Sequence, residues 1–247
     1  MKRRITYIVL SLIFLMIHVS SSGQKQKPKN DSSYDDKLLH FGFSLGVNTM
    51  DFNITPTEIL QPLTPYVTAY LSPEVSKLKP GFNIQIITNL RVAKYFDIRF
   101  LPGIAFGQRT VKYYYEDDLD KIKVWGDSLK LNPAFLEFPL LLKFKGDRLN
   151  NVRPYVIGGL NYRYDLAAKK LLDGSPPYVL LKKQVLYYEL GAGLDFYLTY
   201  FKLSVELKMS NGIGNVFVME RDPVHPQYSD AIDKMKSQIW ILAFHFE

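Results

Sequence analysis

The chain has 247 residues, of which 47% are hydrophobic and 14% aromatic, so it is long enough to form one domain with a sizeable core. It contains no cysteine, which excludes both a disulfide framework and a lipid-modified N-terminal cysteine. The net charge of +7 falls to about +4 without the three basic residues at the start, and so modest a charge does not indicate a nucleic-acid partner.

Residues 1–23 have the pattern of a secretory signal peptide. Lys2, Arg3 and Arg4 precede an apolar run of about 15 residues, and Ser21 and Gly23 follow at the spacing that a signal peptidase accepts. An uncleaved membrane anchor is the alternative, but a spanning helix needs roughly 20 apolar residues. We therefore expect an exported protein, followed by a flexible periplasmic segment at residues 24–37, which is polar and has little to bury.

From residue 40 onward the chain alternates between apolar and polar residues, which is the period of a β-strand with two different faces. In one such run Leu136, Phe138 and Leu140 alternate with polar positions that include Glu137 and Lys143. Eight runs share this pattern, at about residues 40–48, 82–90, 96–106, 136–145, 156–166, 186–198, 201–209 and 240–246. Strands of about ten residues are long enough to cross a bilayer when tilted.

The connections between the runs alternate in length. Long connections are expected at about residues 49–80, 108–132, 167–184 and 211–235, and short turns at about 93–94, 146–152 and 199–200. Long loops on one rim and short turns on the other are typical of bacterial outer-membrane barrels, whose short turns lie in the periplasm. We therefore predict an all-β fold at residues 38–247, an eight-stranded antiparallel transmembrane outer-membrane β-barrel with both chain ends and the short turns periplasmic and the long loops extracellular.

Periodicity alone does not exclude a soluble barrel, which would bury the apolar face and expose the polar one. The polar face, however, repeatedly carries glycine, for example Gly46, Gly107, Gly159 and Gly193, as a crowded narrow lumen requires. The opposite face carries Tyr162, Tyr164, Tyr188 and Trp240, which could form an aromatic girdle near the lipid headgroups. We expect the apolar face to contact outer-membrane lipid.

The polar face also carries charges of both signs. Inside an eight-stranded barrel such charges are tolerated only as paired networks, so we predict a plugged polar lumen and no open pore. Structural ion pairs are the favoured interpretation, and a proton or substrate path is the alternative. The residues of this predicted lumen-facing network are Asp97, Arg99, Glu137, Lys143, Arg163, Asp165, Glu189, Asp195, Lys202 and Glu206.

One turn and one proline are singled out. The basic connector after residue 145 contains Arg148, Asn150, Asn151 and Arg153, which we expect to form a periplasmic contact turn for a partner. Pro139 falls on the lumen face of its strand, where the missing amide predicts a bulge or a weakened pairing site.

The sequence contains no pattern that indicates catalysis, a metal site or a cofactor. Its four histidines are not near one another at metal-ligand spacing, so we expect no metal and no cofactor. Asp222, His225 and Ser229 lie close together in one long connection and leave a lipid-modifying enzyme as a remote alternative, because triads are recognised by geometry.

Two segments carry a family resemblance: "FLEFPLLLKFKGDRLNNVRPYVIGGLNYRYDL" from Phe135 and "NLRVAKYFDIRFLPGIAFGQRTVKYYY" from Asn89. Its most specific parts are Phe138-Pro139, the run from Leu149 to Tyr155, and the strand from Phe96 to Phe106. With these features the chain resembles the PorT family, also called SprT in gliding bacteria, over most of its length after the signal.

The resemblance implies a non-enzymatic outer-membrane barrel of the Bacteroidota that the type IX protein secretion system needs, and that some relatives need for gliding motility. It implies other secretion components as partners, and no catalytic residue is carried over from it. An eight-stranded barrel that acts as an adhesin or stabilises the membrane fits the strands equally well.

Overall fold

The computed structural model of the chain describes residues 30, 34, 37–57, 60–64, 67–75, 79–117, 123–168, 179–218 and 226–247. These residues form fifteen strands and one short helix. In chain order they are β1 (Leu39–Pro56), β2 (Leu60–Thr64), β3 (Val67–Val75), β4 (Pro80–Arg91), β5 (Phe96–Phe100), β6 (Gly103–Phe106), β7 (Arg109–Asp117), β8 (Lys123–Leu131), β9 (Ala134–Lys145), β10 (Val152–Asp165), β11 (Leu180–Leu181), β12 (Gln184–Tyr197), β13 (Lys202–Gly212), β14 (Phe217–Val218), α1 (Pro226–Asp230) and β15 (Ile232–Phe246).

The main sheet closes on itself as an antiparallel ring, with the strand order β1, β15, β13, β12, β10, β9, β5 with β6, β4 and back to β1. The pieces β5 and β6 form one spanning strand, because the pairing with β4 keeps one register from Thr88–Phe100 to Gln85–Gly103. The predicted eight-stranded antiparallel barrel is therefore confirmed. Closure leaves the ring without an unpaired strand edge, as a barrel in lipid requires.

The two faces of the ring follow the alternation of the sequence. Apolar side chains such as Phe41, Val156 and Leu207 lie outward and are more than half exposed, whereas Arg163 and Glu206 lie inward and are completely buried. This distribution excludes the soluble-barrel interpretation, which would bury the apolar face. Tyr162, Tyr188 and Trp240 also lie exposed on the outer face, while Tyr164 is half-buried.

The barrel has two different ends. The short connections 92–95, 146–151 and 198–201 lie at one end, called the turn end here, together with the start of β1 and the end of β15. The opposite end is called the loop end. An even number of spanning strands brings both ends of the barrel segment to the turn end.

The loop end is more structured than the sequence predicts. The segments expected as long connections at 49–80 and 108–132 contain a four-stranded sheet of order β2, β3, β7, β8, and β1 and β15 continue their pairing from Thr49–Trp240 as far as Pro56–Ile232. Strands β11 and β14 form a small ladder, and α1 precedes β15. The ladders extend because alternation of buried and exposed residues continues past the expected boundary, as at Val111 and Tyr113.

An apolar core fills the loop end. Its members come from several of the extended strands and from α1, and they are Phe52, Val111, Tyr113, Leu129, Val179, Val216, Phe217, Tyr228, Ala231, Ile232 and Met235. A second buried apolar cluster lies between this core and the charged part of the lumen and includes Met50, Phe135, Tyr187, Ile239 and Ile241. The interior is therefore mainly apolar at the loop end and carries most of its charges toward the turn end.

The ladder is interrupted opposite Pro139, as the sequence predicts, but only on one side of β9. The β9–β10 register runs through Pro139–Asn161 without a shift, so that pairing contains no bulge. The interruption lies on the other side of β9, where Leu101 and Pro102 separate β5 from β6. The amide of Leu101 still donates to the Pro139 carbonyl at 3.1 Å.

Candidate functional site

The ten charged side chains of the predicted lumen network all lie inside the ring and are at most 6% exposed. Five strands carry them in pairs: Asp97 and Arg99 on β5, Glu137 and Lys143 on β9, Arg163 and Asp165 on β10, Glu189 and Asp195 on β12, and Lys202 and Glu206 on β13. The inward face of β1 and β4 carries neutral polar residues instead, such as Ser44 and Gln85, and most inward residues of β15 are apolar.

Arg163 is the centre of one ion-pair cluster. Its Nε lies 2.6 Å from Glu137 Oε1, and its Nη2 donates to Glu189 Oε1 at 3.0 Å. Glu189 also lies 2.8 Å from Lys208 Nζ and accepts a hydrogen bond of 2.7 Å from Asn161 Nδ2. One cation thus joins carboxylates from two different strands.

A second cluster lies nearer the turn end. Arg99 Nη2 lies 2.8 Å from Glu247 Oε1, and Arg99 Nη1 lies 3.6 Å from Glu206 Oε2. Lys202 Nζ lies 3.0 Å from Glu247 Oε2, and His245 Nε2 lies 3.3 Å from Glu206 Oε2. Glu247, just after β15, therefore connects the closing strand to β5 and β13.

A third cluster is built around Lys143 and Asp195. Lys143 Nζ lies 2.8 Å from both carboxylate oxygens of Asp195, which also accepts a hydrogen bond of 2.6 Å from Ser204 Oγ. The same ammonium lies 3.6 Å from the centre of the Tyr155 ring, and the Tyr155 hydroxyl donates to Glu206 at 2.9 Å. This contact connects the second and third clusters.

Two acidic residues of the predicted network lie at its edges. Asp97 Oδ1 lies 2.6 Å from Lys145 Nζ. Asp165 Oδ1 instead accepts hydrogen bonds from the backbone amides of Ala134, at 3.3 Å, and Ala167, at 2.9 Å. Asp165 thus binds the backbone where β10 ends at the loop end.

Several buried polar residues of the interior are absent from the sequence-based list: Arg109, Lys145, Lys208, His245 and Glu247. Lys145 and Lys208 share the inward parity of their strands, so alternation alone identifies them. His245 and Glu247 follow the inward parity of β15, whose other inward residues, such as Ile241, are apolar and hide the signal. Arg109 lies in a segment expected as a loop, and its Nη2 donates to Ser237 Oγ at 2.8 Å.

The interior charges of the described residues balance in number. The buried cationic side chains are Arg99, Arg109, Lys143, Lys145, Arg163, Lys202 and Lys208, and the buried carboxylates are Asp97, Glu137, Asp165, Glu189, Asp195, Glu206 and Glu247. With a neutral His245, these side chains carry no net charge. A balanced, hydrogen-bonded set is the condition under which buried charges are tolerated.

Close packing accompanies this balance. A methyl group added to Gly193 would lie 2.5 Å from the Tyr155 ring and hydroxyl, so only glycine fits beside this aromatic side chain. Similarly, a methyl group on Gly107 would lie 2.5 Å from Met50 Sδ. The interior has the filled, plugged polar lumen that the sequence predicts.

Tyr34 covers the charged interior at the turn end. Its ring stacks on His40 with centroids 4.0 Å apart, and its hydroxyl donates to Glu247 Oε2 at 2.8 Å. Lys202 Nζ lies 4.5 Å from the ring centre. Burial, and then the charge of the Glu247 carboxylate, raise the pKa of the Tyr34 phenol, so the group stays protonated and keeps its donor role.

The predicted contact turn is tightly organised. Arg148 Nε donates to the Asn150 carbonyl at 3.0 Å, Arg148 Nη2 donates to Asn151 Oδ1 at 2.9 Å, and the Arg148 guanidinium lies 3.7 Å from the centre of the Tyr197 ring. Asn150 has a positive φ of 55°, a conformation that asparagine tolerates better than most residues. The Arg153 guanidinium also lies near this ring, 5.5 Å from its centre.

The turn also binds Asn30, which belongs to the segment expected to be flexible. The Asn30 amide donates to Asn151 Oδ1 at 3.0 Å, its Nδ2 donates to the Tyr197 carbonyl at 3.1 Å, and its own carbonyl accepts a hydrogen bond from Arg148 Nη2. Asn30 and Tyr34 are thus both held against the turn end, while most of residues 24–37 lie outside the described part of the chain.

Catalytic groups are not brought together among the described residues. Ser229 is buried in α1, whereas Asp222 and His225 of the suggested triad lie outside the described residues, as does the signal segment at 1–23. In the part of the chain that the structure describes, no group of three His, Asp or Glu side chains could hold a metal ion. The same described residues include no helix that is long and apolar enough to cross a membrane.

The profile of the family described as outer membrane protein beta-barrel domain matches residues 23–218. No curated protein sequence matches the chain.

Several solved structures of outer-membrane proteins resemble the chain at low identity. OprG of Pseudomonas aeruginosa is 15% identical, with a TM-score of 0.41, and the match covers 90% of this chain and 98% of OprG. Neisserial surface protein A is 13% identical, with a TM-score of 0.39 and coverage of 85% and 99%. Ail, the attachment invasion locus protein of Yersinia pestis, is 14% identical, with a TM-score of 0.34 and coverage of 83% and 96%.

Proposed function

Because the chain belongs to the outer membrane protein beta-barrel domain family, we propose that it is a non-enzymatic outer-membrane component of type IX protein secretion, of the PorT or SprT type. The observation that carries this proposal is the filled, charge-balanced lumen combined with the resemblance at residues 89–115 and 135–166. A barrel of this kind cannot pass a folded cargo protein through itself. Its part in secretion is therefore to contact other components of the machinery.

The proposed orientation follows the usual arrangement of bacterial barrels. The turn end and residues 24–37 face the periplasm, and the loop end faces the outside of the cell. In this orientation the turn with Arg148, Asn150, Asn151 and Arg153 meets components in the periplasm. The outer face contacts outer-membrane lipid, and no nucleic acid, metal or cofactor takes part.

Deletion of the gene tests the secretion role. We expect cargo proteins of the secretion system to accumulate in the periplasm, and gliding to stop in a gliding host, with both restored by the wild-type gene on a plasmid. Immunoblots of periplasmic and culture fractions measure the effect. Normal secretion in the deletion strain would overturn the proposal.

The turn is tested separately with Arg148→Ala combined with Arg153→Ala. We expect the variant to accumulate in the outer membrane as a folded barrel, judged by its heat-dependent migration in gels, and to lose cargo secretion. A matched control is Lys130→Ala at the loop end, where the side chain is exposed. Full secretion by the double variant would exclude the turn as the contact surface.

An adhesin is the second candidate, and the folded loop end favours it. The sheet of β2, β3, β7 and β8 contributes Val111 to the apolar core that also includes Phe217, so it could present a stable binding surface. If this candidate is correct, replacing residues 118–122 should reduce attachment of cells to surfaces and leave secretion intact. Unchanged attachment would exclude it.

A further inference from the structure

Asn30 occupies a pocket that the barrel builds without it. The pocket is formed by Arg148, Asn151 and Tyr197, at the junction of the 146–151 turn with the end of β12. Its members hold one another, because Arg148 binds Asn151 Oδ1 and packs on the Tyr197 ring, and the Tyr197 amide donates to the Asn151 carbonyl at 2.8 Å. These contacts fix the pocket in place before any ligand enters.

The pocket forms hydrogen bonds with three groups of a single asparagine. Asn151 Oδ1 accepts from the Asn30 amide, the Tyr197 carbonyl accepts from the side-chain Nδ2 of Asn30, and Arg148 Nη2 donates to the Asn30 carbonyl. The side-chain contact requires a donor, so aspartate does not satisfy it. Together these contacts bind the backbone of one residue and a side-chain donor, which asparagine supplies.

The occupant is distant in sequence from its pocket. Asn30 is separated by 118 residues from Arg148 and by 167 from Tyr197. It precedes β1, which begins at Leu39, so none of its three hydrogen bonds belongs to the barrel ladder. Between Asn30 and β1 the segment has one further buried side chain among the described residues, Tyr34.

We propose that the Arg148–Asn151–Tyr197 pocket is an exchangeable peptide-binding site for asparagine-bearing peptides, occupied in cis by Asn30. A segment tethered this close has an effective local concentration in the millimolar range, so it competes with any peptide supplied by another chain. Release of Asn30 and Tyr34 opens the site. The inference does not depend on the proposed role in secretion.

A binding experiment on the full chain in detergent micelles tests the site. The probe is a fluorescent synthetic peptide with the sequence of residues 24–37. The receptor is the full-length Asn30→Ala, Tyr34→Ala double variant, whose cis segment has lost its side-chain contacts with the barrel. We expect the double variant to bind the peptide at least about tenfold more tightly than the wild-type chain does, because the tethered competitor has lost its side-chain contacts. A matched receptor control is Lys37→Ala, which leaves the cis contacts in place and should bind as the wild type does.

Specificity is tested on both partners. An Asn30→Ala peptide should bind the double variant about tenfold to a hundredfold more weakly than the unchanged peptide does. It loses the side-chain hydrogen bond to the Tyr197 carbonyl, which also holds the backbone groups in place. Adding Arg148→Ala or, separately, Asn151→Ala to the receptor should weaken binding of the wild-type peptide similarly. Two pocket variants are used so that a folding defect in one, seen as altered gel migration, does not decide the result.

The outcomes discriminate clearly. Equal binding of the peptide by the wild type and the double variant, or equal binding of the Asn30→Ala peptide and the unchanged peptide, overturns the proposal. Mixed micelles of wild-type and double-variant chains distinguish the sources of the peptide. A heterodimer identifies the segment of a second copy as the ligand, whereas free peptide binding without a heterodimer identifies a segment of another protein.

Discussion

Arg163 has a completely buried guanidinium with carboxylate partners on β9 and β12, so its removal leaves Glu137 without its cation inside the barrel. Breaking a buried ion pair from one side costs about 3–5 kcal/mol. We expect Arg163→Ala to lower the free energy of unfolding in detergent by about this amount. Thermal melting followed by circular dichroism measures the change.

Two further variants separate lost charge pairing from lost volume. Arg163→Met combined with Glu137→Gln removes both charges of one pair and should recover part of the stability. Lys234→Ala removes a lysine whose side chain is 63% exposed and lies 3.4 Å from Asp233, and the melting temperature of this variant should match that of the wild type. If Arg163→Ala also has the melting temperature of the wild type, the lumen charges do not act as a paired network.

Gly193 tests the packing of the lumen. Gly193→Ala would place its methyl group 2.5 Å from the Tyr155 ring, so Tyr155 must shift and its contacts with Lys143 and Glu206 with it. Overpacking of this kind costs about 1–3 kcal/mol. The matched control is Gly212→Ala, whose methyl group would come no nearer than 3.4 Å to another atom. Equal chemical denaturation curves for the two variants would show that the lumen is loosely packed.

At the scale of secondary structure elements, the gap between β5 and β6 is a weak point of the ring. The Ile86 amide donates a hydrogen bond to the Pro102 carbonyl at 2.9 Å. Pro102 has no amide hydrogen and so cannot donate the second hydrogen bond of this pair to Ile86. Pro102→Thr would supply that donor opposite Ile86, so we expect the free energy of unfolding to rise by about 1 kcal/mol. Denaturant titration in detergent measures it, and a fall in stability would indicate that the proline fits the local twist better than a regular strand does.

The loop end forms a separate layer with its own core. Val111 is completely buried there, so Val111→Asp places a charge in the apolar core and should unfold the loop end while the ring of paired strands persists. Limited proteolysis should cut the variant near residues 108–132, and the remaining barrel should keep its folded gel migration. Lys130→Ala is the control. If Val111→Asp loses the gel band of the folded barrel and Lys130→Ala keeps it, the two layers fold as one unit.

At the scale of the whole molecule, the interior offers no continuous path for ions. It is charge-balanced in the described residues, packed against glycine, covered by Tyr34 at the turn end and filled by the apolar core at the loop end. We expect the purified protein in planar bilayers to show no stable unit conductance, measured beside a reconstituted porin as a positive control. A reproducible open channel would contradict this structure of the lumen.

The alternation in the sequence was sufficient to predict the ring and its two faces. A period of two assigns Arg99 and Glu189 to one face and Phe138 and Leu160 to the other without knowledge of strand partners. The partners themselves were not predictable. The pairing of Arg99 with Glu247 depends on ring closure, which brings together residues separated by 148 positions.

The loop end and the Asn30 contact were missed for physical reasons. The strands β2, β3, β7 and β8 are stabilised by long-range pairing and by a shared core, while their local sequence is rich in turn-forming and charged residues. Asn30 lies in a polar segment, and its three hydrogen bonds go to the distant 146–151 turn and to Tyr197. Apart from the alternation in β7, local patterns carry no information about either.

The position of Glu247 has a consequence for assembly of the barrel. Until β15 is inserted between β13 and β1, Arg99 and Lys202 lack the carboxylate of Glu247, and Glu206 lacks His245. A ring without β15 would therefore leave this positive site without its carboxylate. Pairing of β15 with β13 and β1 removes this penalty, so the charges of the interior stabilise the closed ring over a ring that lacks this strand.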